Sequence, residues 1–326
     1  MASGKPFQED GHRPPKLSRG AKCTRCRGQA VISLPSHHAL FCPDCYLRFF
    51  QNAVRRAMKQ SAVHPETPLM VAVSGGKDSL AAWSVLHEMG YRTRGLHLDL
   101  GIEGFSEASA DAIERFAAPR GLAWSRYALE DLIGFSIPEI RRRTRRKICS
   151  VCGLLKRQLL NRLTVREGFG VLVTGHNLDD EAGRLLGNLV RHRTEYLEKQ
   201  SPFLPSTHPR LPVKIKPLYR VEAHEIRIYC ELSGIEPLQA SCPLSRGATS
   251  HVFKEALAFL EMKMPGTKRD FLFTYLERNR PAKAAETFGT CRECGEPCYE
   301  TLCSVCNLLG QLKDRDAKRS RDEPSS

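Results

Sequence analysis

The sequence predicts an α/β protein, a parallel sheet with helices on both faces, flanked at its N- and C-terminal ends by small zinc-knuckle modules. Three observations carry that expectation. From Leu69 onward, short apolar runs alternate with segments of helical period. The first apolar run ends in a turn with two adjacent glycines, the form of an anion-binding strand-to-helix turn. Ten of the thirteen cysteines fall in five C-x2-C pairs, four of them gathered near the chain ends.

Residues 1–20 are polar and carry Pro and Gly, and are expected to be disordered. Residues 21–62 read as a first zinc module and a helix. Cys23 and Cys26, then Cys42 and Cys45, set four thiolates for one tetrahedral ion at about 2.3 Å. Tyr46–Lys59 follows with Leu47, Phe50, Val54 and Met58 on one side of a helix. Pro65 and Pro68 mark a boundary, and residues 63–280 read as the main domain. Its strands are expected at Leu69–Val73, Arg94–Leu100, Trp124–Leu129 and Val171–Thr174. Helices are expected over Leu80–Met89, Ser106–Arg120, Val151–Glu167 and, after the Val171–Thr174 strand, through about Arg191, most of them closed by a glycine. That β-α alternation implies parallel strands covered on both faces. Gln200–Pro217 holds five prolines and reads as a long exposed connection. Helices follow over Glu222–Ser233, Thr249–Met262 and Arg269–Arg278. Residues 281–312 form the second zinc module, with Cys291, Cys294, Cys303 and Cys306, and residues 313–326 a charged, disordered tail. Cys230 and Cys298 read as small buried hydrophobes.

The formal charge of +14 and a pI near 9.3 point to a polyanionic partner, with nucleic acid the default. Arg141, Arg142, Arg143, Arg145, Arg146 and Lys147 concentrate that charge just before a cysteine pair. A solvated face is the plainer account of such a run; its neighbour favours phosphate tracking. No apolar run approaches the ~18 residues of a membrane span, and no secretory h-region is present. The expectation is a cytoplasmic protein with no membrane contact. In a reducing compartment the C-x2-C pairs read as metal sites, not disulfides.

The turn after the first strand is Val73-Ser74-Gly75-Gly76-Lys77-Asp78-Ser79. Its glycines let backbone N–H groups approach an anion, its serines add hydroxyls, and the next helix offers its positive end. A Walker A spacing is absent. Further on stand Cys149-Ser150-Val151-Cys152-Gly153, with Lys156 one helical turn later, then Thr174-Gly175-His176-Asn177-Leu178-Asp179-Asp180-Glu181-Ala182, and finally Cys242-Pro243.

Ser74–Ser79 resembles the PP-loop of the ATP pyrophosphatase superfamily, whose fold is adenine nucleotide alpha hydrolase-like. The three later motifs, in this order, resemble the tRNA 2-thiolation branch, the TtcA/TtuA family. Knuckles at both ends resemble the TtuA-type 2-thiouridine synthases, as do Asp99–Ile102, Lys216–Arg220, Gly247–Ser250 and Pro265–Lys268; the likeness spans residues 21–309. It implies ATP held by Ala72, Val73, Ser74, Gly75, Gly76, Lys77, Asp78 and Ser79, with His97 near adenine and Gly175 at the nucleotide. It implies a [4Fe–4S] cluster on Cys149, Cys152 and Cys242, with one iron open. A persulfide route with a transient Cys149–Cys152 disulfide and a structural metal are the alternatives. Lys156 and Asp180 are the implied catalytic residues, one offsetting phosphate charge and the other organising the nucleotide, Mg2+ or the base proton. The bland readings are a packed strand residue for His97, helix caps for Asp179 and Asp180, and a surface lysine for Lys156. The implied reaction is 2-thiolation of tRNA uridine, T-loop U54 foremost. Wobble-uridine or cytidine thiolation and a small-molecule amidotransferase or synthetase are the rivals. Implied partners are tRNA, a sulfur donor (a ubiquitin-like thiocarboxylate protein or a sulfide source) and a second copy of the chain.

Overall fold

The computed structural model describes residues 17–245, 249–279 and 288–322. The chain opens with a hairpin, β1 (Ile32–Leu34) and β2 (Ala39–Phe41), which leads through Cys42 into α1 (Pro43–Gln60). Pro43 stands at the first helical position, where its missing N–H costs nothing. The main domain then runs β3 (Leu69–Ala72), α2 (Lys77–Glu88), β4 (Thr93–Asp99), α3 (Phe105–Ala117) and β5 (Trp124–Ala128). Next come α4 (Leu129–Ile133), α5 (Ile137–Arg143), α6 (Ile148–Arg166), β6 (Val171–Thr174), α7 (Leu178–Val190) and α8 (Thr194–Leu197). Strands β7 (Phe203–Leu204) and β8 (Val213–Ile215), then helices α9 (Ala223–Leu232), α10 (Thr249–Lys263) and α11 (Thr267–Arg278), close the domain. The second module follows as β9 (Gly289–Thr290), β10 (Pro297–Cys298) and α12 (Ser304–Asp322).

The central sheet has the order β5-β4-β3-β6-β8-β7, parallel except for the edge strand β7. Its pleat divides the core. Leu69 and Val71 face α1, α2 and α9, whereas Met70 and Leu172 face α5, α6 and the second module. Order reverses between β3 and β6, so the carboxyl ends of these two strands open a cleft of the kind that holds ligands in such sheets.

Two expectations are corrected here. Gln200–Pro217 is not an exposed connection: it supplies two strands and buries Gln200, Ile215 and Lys216. Its prolines bracket the strands (Pro202 and Pro205, Pro212 and Pro217) and leave the ladder donors intact. The charged tail expected to be disordered from residue 313 is helical through Asp322, because Leu308 and Leu312 bury one face of α12 in the core and Arg315 bonds the Arg143 carbonyl at 2.6 Å. Of the disordered start, residues 1–16 lie outside the described residues, as do Gly247 and Ala248. No described helix is long and apolar enough to cross a membrane.

Candidate active site

The glycine turn lies at the switch point. Gly76 caps α2, and the Ser79 hydroxyl donates to its carbonyl at 2.9 Å while accepting from the Ser74 N–H at 3.1 Å. Gly75 has φ +74°, and a β-carbon there would meet the Ser109 carbonyl at 2.7 Å, so only glycine fits. The Gly75 carbonyl accepts from Leu238 N–H at 2.8 Å, which pins the loop from outside. A β-carbon on Gly76 would meet Ser74 Oγ at 3.6 Å, ordinary contact, so this position has room that Gly75 lacks.

The loop after β6 presses on this turn. A β-carbon on Gly175 would lie 2.8 Å from the Asp78 carbonyl and the Ser79 nitrogen. Asn177 ties the two together. Its side chain donates to Asp78 at 3.0 Å, and its oxygen accepts from the Asp180 N–H while Asp180 accepts from the Asn177 N–H. Asp180 therefore does close the cap of α7, as its position in the motif allows, but one carboxylate oxygen pairs with Lys254 of α10. Burial would raise its pKa, yet the Lys254 ammonium and the bonds around it hold the carboxyl below its usual range.

Each acid of this motif has its own lysine. Asp179 pairs with Lys268 of α11 at 2.5 Å and accepts the Ala223 N–H at 2.7 Å; Glu181 pairs with Lys216 at 2.8 Å. The Glu181 pair is almost wholly buried, whereas the Asp180 pair stays partly open to the cleft. The sequence signal for these partners was Lys216–Arg220 and Pro265–Lys268, singled out only as a resemblance and given no role. Lys254 carried no signal.

His97 stands on β4 beside the loop. Its Nδ1 meets the Val73 carbonyl at 2.9 Å, and its buried Nε2 has no hydrogen-bond partner. Burial keeps the imidazole neutral, with a pKa below its ordinary value, so Nε2 is an acceptor turned to the interior. Lys156 lies within electrostatic reach of both His97 and Cys152.

Cys149 and Cys152 occupy the first turn of α6, and Cys242 reaches them from the far side of the chain. Cys152 senses the charge of both other thiols, and Cys149 Sγ approaches the Leu244 carbonyl at 3.6 Å. Burial raises the Cys152 thiol. Among the described residues, these three are not drawn within the spacing of one metal ion. Separate irons of a polynuclear cluster suit that wider arrangement.

The terminal knuckles differ. Within each set, Cys23, Cys26, Cys42 and Cys45, and Cys291, Cys294, Cys303 and Cys306, all ligand atoms lie within 4.8 Å of one another. Each set ends on a helix start, α1 or α12, where burial and the neighbouring thiols push Cys45 up to about 12 and raise Cys306 as well. Against burial, N–H groups of the knuckles bring Cys23 and Cys291 down to about 6. Each set could hold a metal ion. Cys230 and Cys298 are buried, Cys230 in contact with the Lys77 carbonyl at 3.7 Å.

Strand, glycine pair, helix start and switch-point cleft define a PP-loop ATP-binding domain, and residues 48–239 match the PP-loop domain model. Residues 22–47 match the N-terminal LIM domain of the 2-thiouridine synthetase TtuA. The tRNA-5-methyluridine(54) 2-sulfurtransferase of Thermus thermophilus is 40% identical over 301 residues, 91% of this chain and 94% of that protein. The protein of the same description from Thermotoga maritima is 36% identical, covering 91% and 99%. This chain belongs to that tRNA 2-sulfurtransferase family. Its fold is also that of the U34-tRNA thiolase NcsA from Methanococcus maripaludis, solved with its [4Fe-4S] cluster: TM-score 0.79, 24% identity, 89% of this chain and 96% of that one.

Proposed function

We propose that this protein replaces the 2-oxygen of a tRNA uridine, T-loop U54, with sulfur at the expense of ATP. What supports the reading is that Lys156 lies within electrostatic reach of both His97, beside the glycine turn, and Cys152, in a chain 35–40% identical to three U54 sulfurtransferases. Gly76, with Gly75, Lys77, Asp78 and the Ser74 and Ser79 hydroxyls, receives the pyrophosphate of ATP. Ala72 and Val73 lead into the turn, with His97 behind them.

Uracil O2 attacks the α-phosphorus; the new O–P bond forms as the bond to pyrophosphate breaks. Lys156, with Lys77, offsets the charge that grows on the phosphates. Asp180 would orient the nucleotide or a magnesium ion bound to it, or take up the N3 proton released when O2 is phosphorylated. Sulfur then attacks C2, the C2–O bond breaks, and AMP leaves with the former uracil oxygen. Cys149, Cys152 and Cys242 would hold a [4Fe–4S] cluster, which supplies an open iron where sulfide can be kept before delivery. The two four-thiolate sets would each hold Zn2+. Sulfide comes from a small source or a thiocarboxylated ubiquitin-like protein, the enzyme works as a homodimer, and its compartment is the cytoplasm.

The test is nucleoside mass spectrometry of unmodified tRNA after anaerobic incubation of the holoenzyme with ATP, Mg2+ and sulfide. Thiolation confined to position 54 is expected. Thiolation at position 34 would make it a wobble enzyme, and ATP turnover with no thiolated nucleoside would overturn the reading.

A further inference from the structure

None of these steps uses Lys254, which enters the site from α10. That helix lies along α7, and two glycines of α7, one turn apart, make the fit possible. A β-carbon on Gly183 would meet Lys254 Cγ at 3.0 Å, and one on Gly187 would meet the Phe253 ring at 3.0 Å. The Arg191 guanidinium lies over that ring at 4.8 Å. Leu257, a turn further along α10, is buried with Leu178, Ala182 and Leu185 of α7. Phe253, Lys254 and Leu257 therefore share the face of α10 that meets α7.

That packing brings the Lys254 ammonium to the first turn of α7, where it pairs with Asp180 Oδ1. The other oxygen, Oδ2, accepts the Asn177 N–H at 3.1 Å and closes the helix cap. Asn177 in turn donates to Asp78 at 3.0 Å, so one hydrogen-bonded series runs from α10 to the glycine turn. Among the described residues, Lys254 pairs with no other acid. Its side chain is 36% exposed and that of Asp180 25%, against 7% and 3% for Lys216 and Glu181. An ion pair that solvent reaches adds little to stability, so holding the fold together does not account for this one.

We infer that Lys254 is a positioning residue of the reaction: its ammonium fixes the Asp180 oxygen that the helix cap leaves free, and so sets the direction in which this carboxylate meets the substrate. The inference rests on the thiolation reading, which makes Asp180 a working group. A carboxylate held by one oxygen still turns about its Cβ–Cγ bond, a torsion with broad wells. The second tether, from a separate helix, removes that freedom. A group oriented before the substrate arrives spends nothing on reorganisation during the reaction.

The experiment measures kcat and ATP KM of pyrophosphate release by the holoenzyme at saturating tRNA, with Tm alongside. The proteins compared are wild type, Lys254→Met, Lys254→Arg, Asp180→Asn and the double variant Lys254→Met with Asp180→Asn. Lys254→Met keeps the stem against Gly183 and removes the charge. Its kcat is expected to fall about tenfold to a hundredfold, with little change in ATP KM or Tm. Lys254→Arg should recover most of the loss. The double variant should be no slower than Asp180→Asn alone, because Lys254 acts through that carboxylate. Wild-type kcat in Lys254→Met would overturn the assignment. So would a double variant whose loss is the product of the two single losses, the outcome of a merely structural role. Pyrophosphate released by the wild type without any thiolated nucleoside would strike at the thiolation reading, and the same rates would still decide the part of Lys254.

Discussion

Gly175→Ala is the most informative single-atom perturbation of the cleft. The added β-carbon would stand 2.8 Å from Asp78 C, Asp78 O and Ser79 N, where ordinary contact begins near 3.4 Å, so one backbone must retreat by about 0.6 Å. Neither yields easily. Asp78 is held by Asn177 at 3.0 Å, and Ser79 is bonded to Gly76 at 2.9 Å. Overpacking of this kind costs about 1–3 kcal/mol of stability. The catalytic loss should be larger in relative terms, because the anion cradle shifts against Lys156; displacements approaching 1 Å cost on the order of a hundredfold. Pyrophosphate release at saturating tRNA should fall between about tenfold and a hundredfold, with a shift of only a few degrees in Tm. Gly76→Ala supplies the contrast. Its β-carbon meets only Ser74 Oγ at 3.6 Å, so Tm should hold while ATP affinity drops. A Gly175→Ala enzyme with wild-type turnover would refute the argument that this contact sets the loop.

Lys216→Met strands the buried Glu181 carboxylate, whose other side-chain partner among the described residues is Gln200 at 3.2 Å, and should cost about 3–5 kcal/mol by denaturant unfolding. Adding Glu181→Met should restore most of it; an unimproved double variant would mean the lysine acts otherwise. Because burial holds the His97 pKa below 6.5, the unfolded chain takes up its proton near 6.5 while the folded chain does not. Stability should therefore decline as pH falls below about 6.5, and His97→Gln should soften that decline in thermal melts; an unaltered pH profile would exclude a buried neutral imidazole. Cys242→Ala is expected to abolish the broad visible absorbance of anaerobically purified protein and keep two zinc ions per chain; zinc loss with an unchanged spectrum would reverse the ligand assignment.

The motifs with chemically rigid demands were legible from the residues. Four-thiolate sets announce themselves by spacing, and the glycine turn by its place between an apolar run and a helix. The parallel sheet followed from alternation over Leu69–Thr174, where buried strands are continuous apolar runs. Strands β7 and β8 escaped notice because their prolines, read as breakers, flank the strands instead of interrupting them. The capping box Ser136–Glu139 that starts α5 is written in the sequence, its serine five positions before the arginine run. The lysine partners of Asp179, Asp180 and Glu181 were not legible. They stand 35 to 89 residues away, on β8's exit, α10 and α11, and only tertiary packing reveals which lysine serves which acid.

Uracil O2 is the atom adenylated in the proposed reaction, and isotope tracing reaches it directly. The substrate is tRNA carrying ¹⁸O at O2 of uridine 54, the reagents are ATP, Mg2+ and sulfide, and the readout is the mass of the AMP released. One ¹⁸O per AMP, matched to each thiolated nucleoside, is the expected result. Thiolated tRNA accompanied by AMP free of ¹⁸O would contradict it.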